Sequence, residues 1–490
     1  MNPDYNLYDN LIKYSNSDMY PFHMPGHKRN KALNDPSFQL DVTEVPPFDD
    51  LHHPRDIVSG FSRDDGSFLL VNGSTGGVLA AIRTLTNPGD TVLIARNCHR
   101  SVYNAVEVFG LEPRYIMPEA AYDGEEEQNF YGKIHPAEVE RMLKEYPKTT
   151  LVVITSPTYE GMCSDTETIA DICHAHGARL FVDQAHGVHP TISMVFSTTN
   201  KLFFSPPAQK ADIYVTSLHK NLPALTQCAM LYSSLDREMT AELRANLAVF
   251  QTSSPSYLLM ASAGKALQMM KSRNPAYLYG IRLQRFYNEA EKLTKLKVLY
   301  QKPLEEQSYL NDYSELFNKY DQLHECGKIL ISTSETDISG YELAKLLREK
   351  YHIETEMATP DYVLAYTSVC DTDEGFSRLT SALREIDITM KKASTSKPNY
   401  LIKTIPEQIF IPYEKYKYKT KRLPLEEAVG KIAMETIMVY PPGIPCVVPG
   451  EVINSEIIDH IRYIQKLGGH VYFDSYRDYR VDTVNVADCN

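Results

Sequence analysis

The sequence predicts an α/β fold built on a largely parallel sheet. Two observations carry this. Short, nearly continuous apolar runs recur as "TVLIA" (91–95), "TLVVIT" (150–155), "RLFVD" (179–183), "DIYVTS" (212–217) and "CAMLYS" (228–233). Helix-like stretches lie between several of them, at 75–86, 99–109, 136–145 and 165–176. Strands buried on both faces lose the alternation of an exposed sheet, and helices covering those faces account for the spacing.

The remaining segments follow in order. The first sixty residues lack periodicity. "YPFHMPGHKRN" and "EVPPFDDLHHP" carry Pro, Gly, His and charge, which predicts an ordered loop or arm. Residues 238–295 read as mostly helical, with a long stretch over 255–293. "KILIST" (328–333) opens a second α/β pattern: helix 340–350, strands near 352–357 and at 361–368, and helix 373–392. "ASTSKPN" (393–399) reads as a linker, and a last helix is expected near 455–467. The organisation expected is an arm over 1–60, a large domain over 61–295, a small α/β domain over 296–393 and a C-terminal domain over 394–490.

Composition narrows the function classes. At 490 residues the chain exceeds one ordinary core, and 43% apolar with 23% charged residues is ordinary globular usage. The net charge of -13 repels phosphates, so no nucleic-acid partner is expected. No apolar run reaches the ~18 residues of a membrane span, and the start has no signal-peptide core. Eight cysteines occur without a C-x-x-C pair, which argues against a disulfide framework or a structural zinc. A soluble, reduced, cytoplasmic protein without a metal is expected.

Four stretches carry chemistry. "VNGSTGG" (71–77) is a Gly-rich turn entering a helix, where backbone N–H groups and the Ser74 and Thr75 hydroxyls can hold an anion. A plain helix cap reads equally well there. "ARNCHRS" (95–101) puts His99 after a strand and before a helix, where it is either a cap or a site residue. "FVDQAHG" (181–187) places Asp183 at the carboxyl end of a strand, where open α/β sheets bind ligands; a turn-starting Asp is the alternative. "TSLHK" (216–220) repeats the geometry with Ser217, His219 and Lys220. The apolar setting of Lys220 is costly for an ammonium, so either its head reaches water or the site needs a lysine it can neutralise. An anion cradle, a strand-end Asp and a strand-end Lys suit pyridoxal 5'-phosphate, which needs a phosphate site, a carboxylate beside its pyridine nitrogen and a lysine for its aldehyde.

These residues carry a resemblance. The chain is similar to fold-type-I pyridoxal-phosphate enzymes, and more narrowly resembles the bacterial Orn/Lys/Arg decarboxylase family in its short form without an N-terminal wing domain. The matching stretches are "FHMPGHK" (22–28), "DDLHHP" (49–54), "GSTGG" (73–77), "RNCHRS" (96–101), "PTYEG" (157–161), "DQAHGVH" (183–189), "TSLHK" (216–220), "TSSPSYLLMAS" (252–262) and "YPPGIPCVVPGE" (440–451). The resemblance implies a transferase-like large domain with a mostly parallel sheet, a smaller α/β domain and a C-terminal α+β domain. It implies that Lys220 holds the aldehyde and that Asp183 partners the pyridine nitrogen. It implies further that His99 stacks on the ring, with Ala185 and His186 against it. Ser74, Thr75, Ser217 and His219 match phosphate-side positions. Thr252 or Ser253 would reach the neighbouring subunit's phosphate, which makes a homodimer or higher even oligomer the expected assembly. Three positions depart from the family: Ser156 stands where Asn is common, Gln184 where Glu is common, and a Pro follows Lys220 closely in "HKNLPAL".

The activity so implied is decarboxylation of a basic L-amino acid, arginine or lysine before ornithine, to a polyamine-type amine, with Lys220 or His219 returning the proton. Asp49, Asp50, Glu160 and Glu451 are candidates for the substrate's distal cation. An aminotransferase or another amino-acid lyase is the competing enzyme reading; it needs an Arg clamp, and Arg348 and Arg378 sit in no motif. A catalytically silent binding or regulatory subunit is the reading from another class, and the retained Lys220 and Asp183 oppose it.

Overall fold

The computed structural model describes residues 7–16, 40, 66–189, 192–193, 202–300, 317, 322–395, 397–440, 443–474 and 483–488. "FHMPGHK" and "DDLHHP", with Asp49 and Asp50, lie outside the described residues.

Seven strands form the central sheet in the order Ser67–Leu70, Ala229–Ser233, Ile213–Thr216, Arg179–Asp183, Thr149–Thr155, Thr91–Ala95, Glu112–Ile116. The five from Ile213–Thr216 to Glu112–Ile116 pair in parallel, and Ala229–Ser233 is antiparallel to both of its neighbours. Leu180 to Asp183 and all of Ile213–Thr216 are buried, as the continuous apolar runs require. Helices cover the faces at Gly73–Leu85, Arg100–Phe109, Pro136–Glu145 and Thr166–Ala175, close to the expected spans.

A smaller antiparallel sheet runs Lys297–Val298, Lys328–Ser332, Tyr362–Tyr366, Met357–Ala358. One apolar cluster joins it to the central sheet, running from Leu11 and Met230 through Tyr257, Tyr279 and Phe286 to Ile329, Val363 and Leu383. The C-terminal segment has its own core. It lies between the pair Thr420–Pro424 with Thr483–Ala487, the three strands Ile444–Val447, Ile437–Val439 and Val471–Phe473, and the helix Ser455–Lys466.

Four local differences from the expectations have physical causes. Part of the arm is helical: Leu7–Ser15 forms an amphipathic turn pair whose Leu11 is buried in the main cluster, with the Lys265 ammonium 4.0 Å over the Tyr8 ring. The long helix over 255–293 is two helices, Tyr257–Met269 and Asn274–Ala290. Pro275 sits in the first turn of the second, where its missing N–H costs nothing, whereas inside one continuous helix it would break the ladder. The strand near 352–357 shrinks to Met357–Ala358, because His352 turns left-handed at φ 53° to end the preceding helix. The 393–399 stretch is bonded to the body: the Lys397 Nζ donates to Thr333 Oγ1 at 2.9 Å and to Ile338 O at 2.8 Å.

The C-terminal segment is locked to the central sheet by a buried ion pair. Arg96, just past the strand Thr91–Ala95, donates twice to the Glu451 carboxylate at 2.7 and 2.8 Å, and once to Cys446 O at 3.1 Å. Both side chains are almost wholly buried. Glu451→Ala leaves Arg96 as a buried charge without a counterion, and denaturant unfolding is expected to lose about 3–5 kcal/mol. A loss below about 1 kcal/mol, the level of an exposed pair, would contradict this account of the joint.

Candidate active site

The carboxyl edge of the parallel strands gathers the residues of interest. Strand register sets Thr155 beside Asp183 and Asp183 beside Val215, so the Asp183 and Lys220 segments leave neighbouring strands. Asp183 is buried, and one carboxylate oxygen accepts from Ala185 N–H at 3.1 Å. Among the described residues it forms no ion pair, which is unusual for a buried carboxylate.

Lys220 lies in the four-residue helix Leu218–Asn221, which follows Ser217 directly. Its Nζ shares a 2.8 Å hydrogen bond with His186 Nε2. Burial lowers the Lys220 pKa, opposed by the negative charges of Asp183 and Glu356. Burial also holds the His186 pKa well below its ordinary value, with the positive charge of Lys220 adding to the effect. The imidazole is therefore neutral and its Nδ1 is buried without a partner.

At the other end of the site stands the Gly-rich turn. Neighbouring helices start at side-chain caps, namely His99, His135, Asp165 and Asp236. The helix Gly73–Leu85 does not: Asn72 makes no side-chain cap bond, and while Gly73 N–H donates to Gln227 O at 2.9 Å, the N–H groups of Ser74 and Thr75 have no side-chain cap from Asn72. Gly77 lets this helix approach the sheet, since a Cβ there would meet Leu70 Cδ1 at 2.6 Å and Val215 Cγ2 at 3.1 Å. The approach brings Ser74 to Ser217, whose Oγ donates to Ser74 Oγ at 3.1 Å. Thr75 is exposed at the same helix start.

His99 is a helix cap, as one of its two readings expects. Its Nδ1 accepts from Ser101 N–H at 3.2 Å, capping the helix Arg100–Phe109. The ring stays open to the cleft, yet its surroundings withdraw enough water to lower its pKa, with Asp183 opposing and Lys220 reinforcing. His219 Nδ1–H donates to Cys228 O at 2.9 Å, leaving Nε2 with the free lone pair, and burial lowers its pKa too. Ala185 is buried beside Asp183. Thr252 and Ser253 are exposed in the turn between Arg237–Phe250 and Tyr257–Met269, and among the described residues Thr252 Oγ1 bonds within the turn, to Ser254.

The proposed partners of a distal cation fare differently. The Glu451 carboxylate is held by Arg96. Glu160 is buried and accepts from Tyr362 OH at 3.0 Å, and burial raises its pKa. Arg348 and Arg378 make exposed ion pairs with Glu354 and Glu374 and lie on the surface. The three departures from the family are absorbed locally. Ser156 Oγ accepts from Ser164 N–H at 3.0 Å. Gln184 is buried, donating to Pro206 O at 2.6 Å and accepting from Ala208 N–H at 3.1 Å, a pairing a carboxylate could not complete. Pro223 follows the helix bearing Lys220 and faces solvent, where it ends that helix.

The comparisons with known proteins agree with this geometry. The major domain of the Orn/Lys/Arg decarboxylases matches residues 5–374, and their C-terminal domain matches residues 391–471. The chain belongs to this family. It is thus an amino-acid decarboxylase. The arginine decarboxylase of Bacillus subtilis (strain 168) is 30% identical over 477 residues, covering 93% of this chain and 92% of that one. The inducible lysine decarboxylase of Escherichia coli (strain K12) is 22% identical over 563 residues, covering 94% of this chain and 77% of its own length. The fold is shared with the lysine decarboxylase of Francisella novicida, at a TM-score of 0.77 and 21% identity, over 98% of this chain and 81% of that one. The fold-type-I architecture expected from the sequence is the one found.

Three residues around Lys220 and His186 escaped the sequence reading. Glu356 reaches Lys220 electrostatically and accepts from Tyr159 OH, but "ETEMA" carries no motif. Tyr366 and Lys328 lie under His186. Lys328 carried the same signal as Lys220, a lysine abutting an apolar run.

Two buried histidines tie stability to pH on the acid side. Burial lowers His189 to about 4 and His324 to about 3. Unfolded histidine binds a proton near pH 6.5, before these folded sites do, so the stability they contribute is present above 6.5 and lost as pH falls toward 4 and then 3. Unfolding midpoints measured from pH 7 to pH 4 are expected to drop, and to drop less in His324→Gln, which retains a donor for Glu160 O.

Proposed function

We propose that this decarboxylase uses pyridoxal phosphate, held by the residues above, to remove CO2 from a basic L-amino acid, with arginine first. The single observation that carries the reading is that Lys220 and a buried Asp183, which forms no ion pair among the described residues, leave neighbouring strands at one sheet edge. The residues fit the group: Asp183 has no ion-pair partner among the described residues, the helix Gly73–Leu85 has no side-chain cap from Asn72, and Ser74 and Ser217 converge at its start. Asp183 would hold the ring nitrogen, and Ser74, Thr75, Ser217 and the helix N–H groups the phosphate. His99, Ala185 and His186 would border the ring. Pyridoxal phosphate supplies an aldehyde that an amine can hold and a ring that accepts the electron pair left when CO2 departs.

The chain's own groups do the rest. Burial lowers the Lys220 pKa, which favours the unprotonated amine a nucleophile needs, and the Nζ is hydrogen bonded to His186 Nε2. The Asp183 carboxylate keeps positive charge at its partner atom. Lys220 Nζ, carrying a proton taken from the substrate's α-ammonium, or His219 Nε2 once it has bound a proton, would return that proton to the carbon that has lost the carboxylate. Glu356 offers the distal cation an exposed carboxylate within electrostatic reach of Lys220. We propose further that Thr252 and Ser253 act across a homodimer, that the chain divides near residues 295 and 393, and that the product feeds polyamine-type chemistry in the cytoplasm.

Incubation with arginine, lysine and ornithine separately, scored for CO2 and the matching amine, tests the reading. Arginine is expected to react fastest, and a chain with bound cofactor that releases no CO2 from any of the three contradicts it. Lys220→Ala is expected to abolish turnover. Asp183→Asn is expected to lower kcat by about 10²–10³, the scale of a lost electrostatic stabiliser. Glu356→Gln is expected to raise the KM for arginine about tenfold with kcat little changed, the signature of lost uniform binding.

A further inference from the structure

Lys328 is buried at the start of the strand Lys328–Ser332, and Tyr366 ends the strand Tyr362–Tyr366. The two are direct partners across the small antiparallel sheet. The Lys328 Nζ sits 3.3 Å from the Tyr366 ring centroid and donates to His186 O at 3.1 Å. Tyr366 OH donates to Asn221 Oδ1 at 2.7 Å, and Asn221 Nδ2 donates to Gly187 O at 2.7 Å. Asn221 follows Lys220, and Gly187 follows His186. The Tyr366 ring also lies 6.0 Å from the His186 ring. One pair on the small sheet therefore grips both segments whose side chains meet at the Lys220–His186 bond.

We propose that Lys328 and Tyr366 form a clamp that positions Lys220 and His186, so that the small sheet sets the reactivity of a lysine on the large one. Neither residue touches the reacting atoms; both are positioning residues, and the proposal rests on the reading of Lys220 given above. The clamp holds Lys220 in its dry setting, the leading cause of its lowered pKa. The charged and titratable groups facing Lys220 are His186 and Asp183 from the central sheet, His99, His219, Glu356, and Lys328 itself. Those facing Lys328 are Glu325, Lys220, Glu356, Cys163, His186 and His324, and burial lowers its own pKa to about 7.

The test uses the full chain freed of cofactor and labels lysines with acetic anhydride across a pH series, read peptide by peptide by mass spectrometry. Tyr366→Phe removes one hydroxyl and keeps the ring; Lys328→Met removes the ammonium and keeps the stem. Released from the clamp, Lys220 regains water, so its labelling midpoint is expected to rise by about one unit in each variant. In the holoenzyme, kcat is expected to fall up to about 100-fold with KM nearly unchanged, the scale of a small misplacement. A Lys220 midpoint equal to wild type in folded Tyr366→Phe overturns the proposal, whatever Lys328→Met does. The labelling arm involves no turnover, so its outcome is separate from that of the decarboxylation assay.

Discussion

An ammonium group resists leaving water, and the arrangement around Lys220 turns that resistance to use. The lysine follows the end of a buried parallel strand and is itself half-buried. Placed there as a cation it would destabilise the fold. Placed there as a neutral amine, hydrogen bonded to a neutral His186, it is a nucleophile in waiting. Two carboxylates, Asp183 and Glu356, oppose that lowering of its pKa.

The rest of the architecture serves that placement. Parallel strand order puts Asp183 and Lys220 on adjacent strands, and Gly77 draws the uncapped helix close enough for Ser74 to meet Ser217. The small sheet reaches back to the same two loops through Lys328 and Tyr366. The C-terminal segment is fixed to the far side by the Arg96–Glu451 pair, three residues before His99 in the chain. Cross-chain contacts of this kind join elements hundreds of residues apart, so the site is a product of the whole fold.

The sheet was legible because buried strands leave continuous apolar runs, and strand-end residues such as Asp183, Ser217 and Lys220 stand out against them. His99 was legible in place but not in role, since capping and cleft-facing readings predict the same sequence. The break before Asn274 was missed because helix periodicity persists across it, although Pro275 marks it. Glu356, Lys328 and Tyr366 were missed because their importance comes from pairing on a second sheet, and no local pattern encodes a partner far away in sequence. Glu451 drew attention through its motif; the structure gives it to Arg96, showing that a family-like segment can mark a structural joint as readily as a substrate contact.

The central claim is that Lys220 is the amine this decarboxylase presents to its cofactor. Borohydride reduction of the full chain in the presence of pyridoxal phosphate, followed by peptide mass spectrometry, measures it directly. A single stable adduct on the peptide containing Lys220 is the predicted result. An adduct confined to Lys328 or to surface lysines, with Lys220 unmodified, would contradict it.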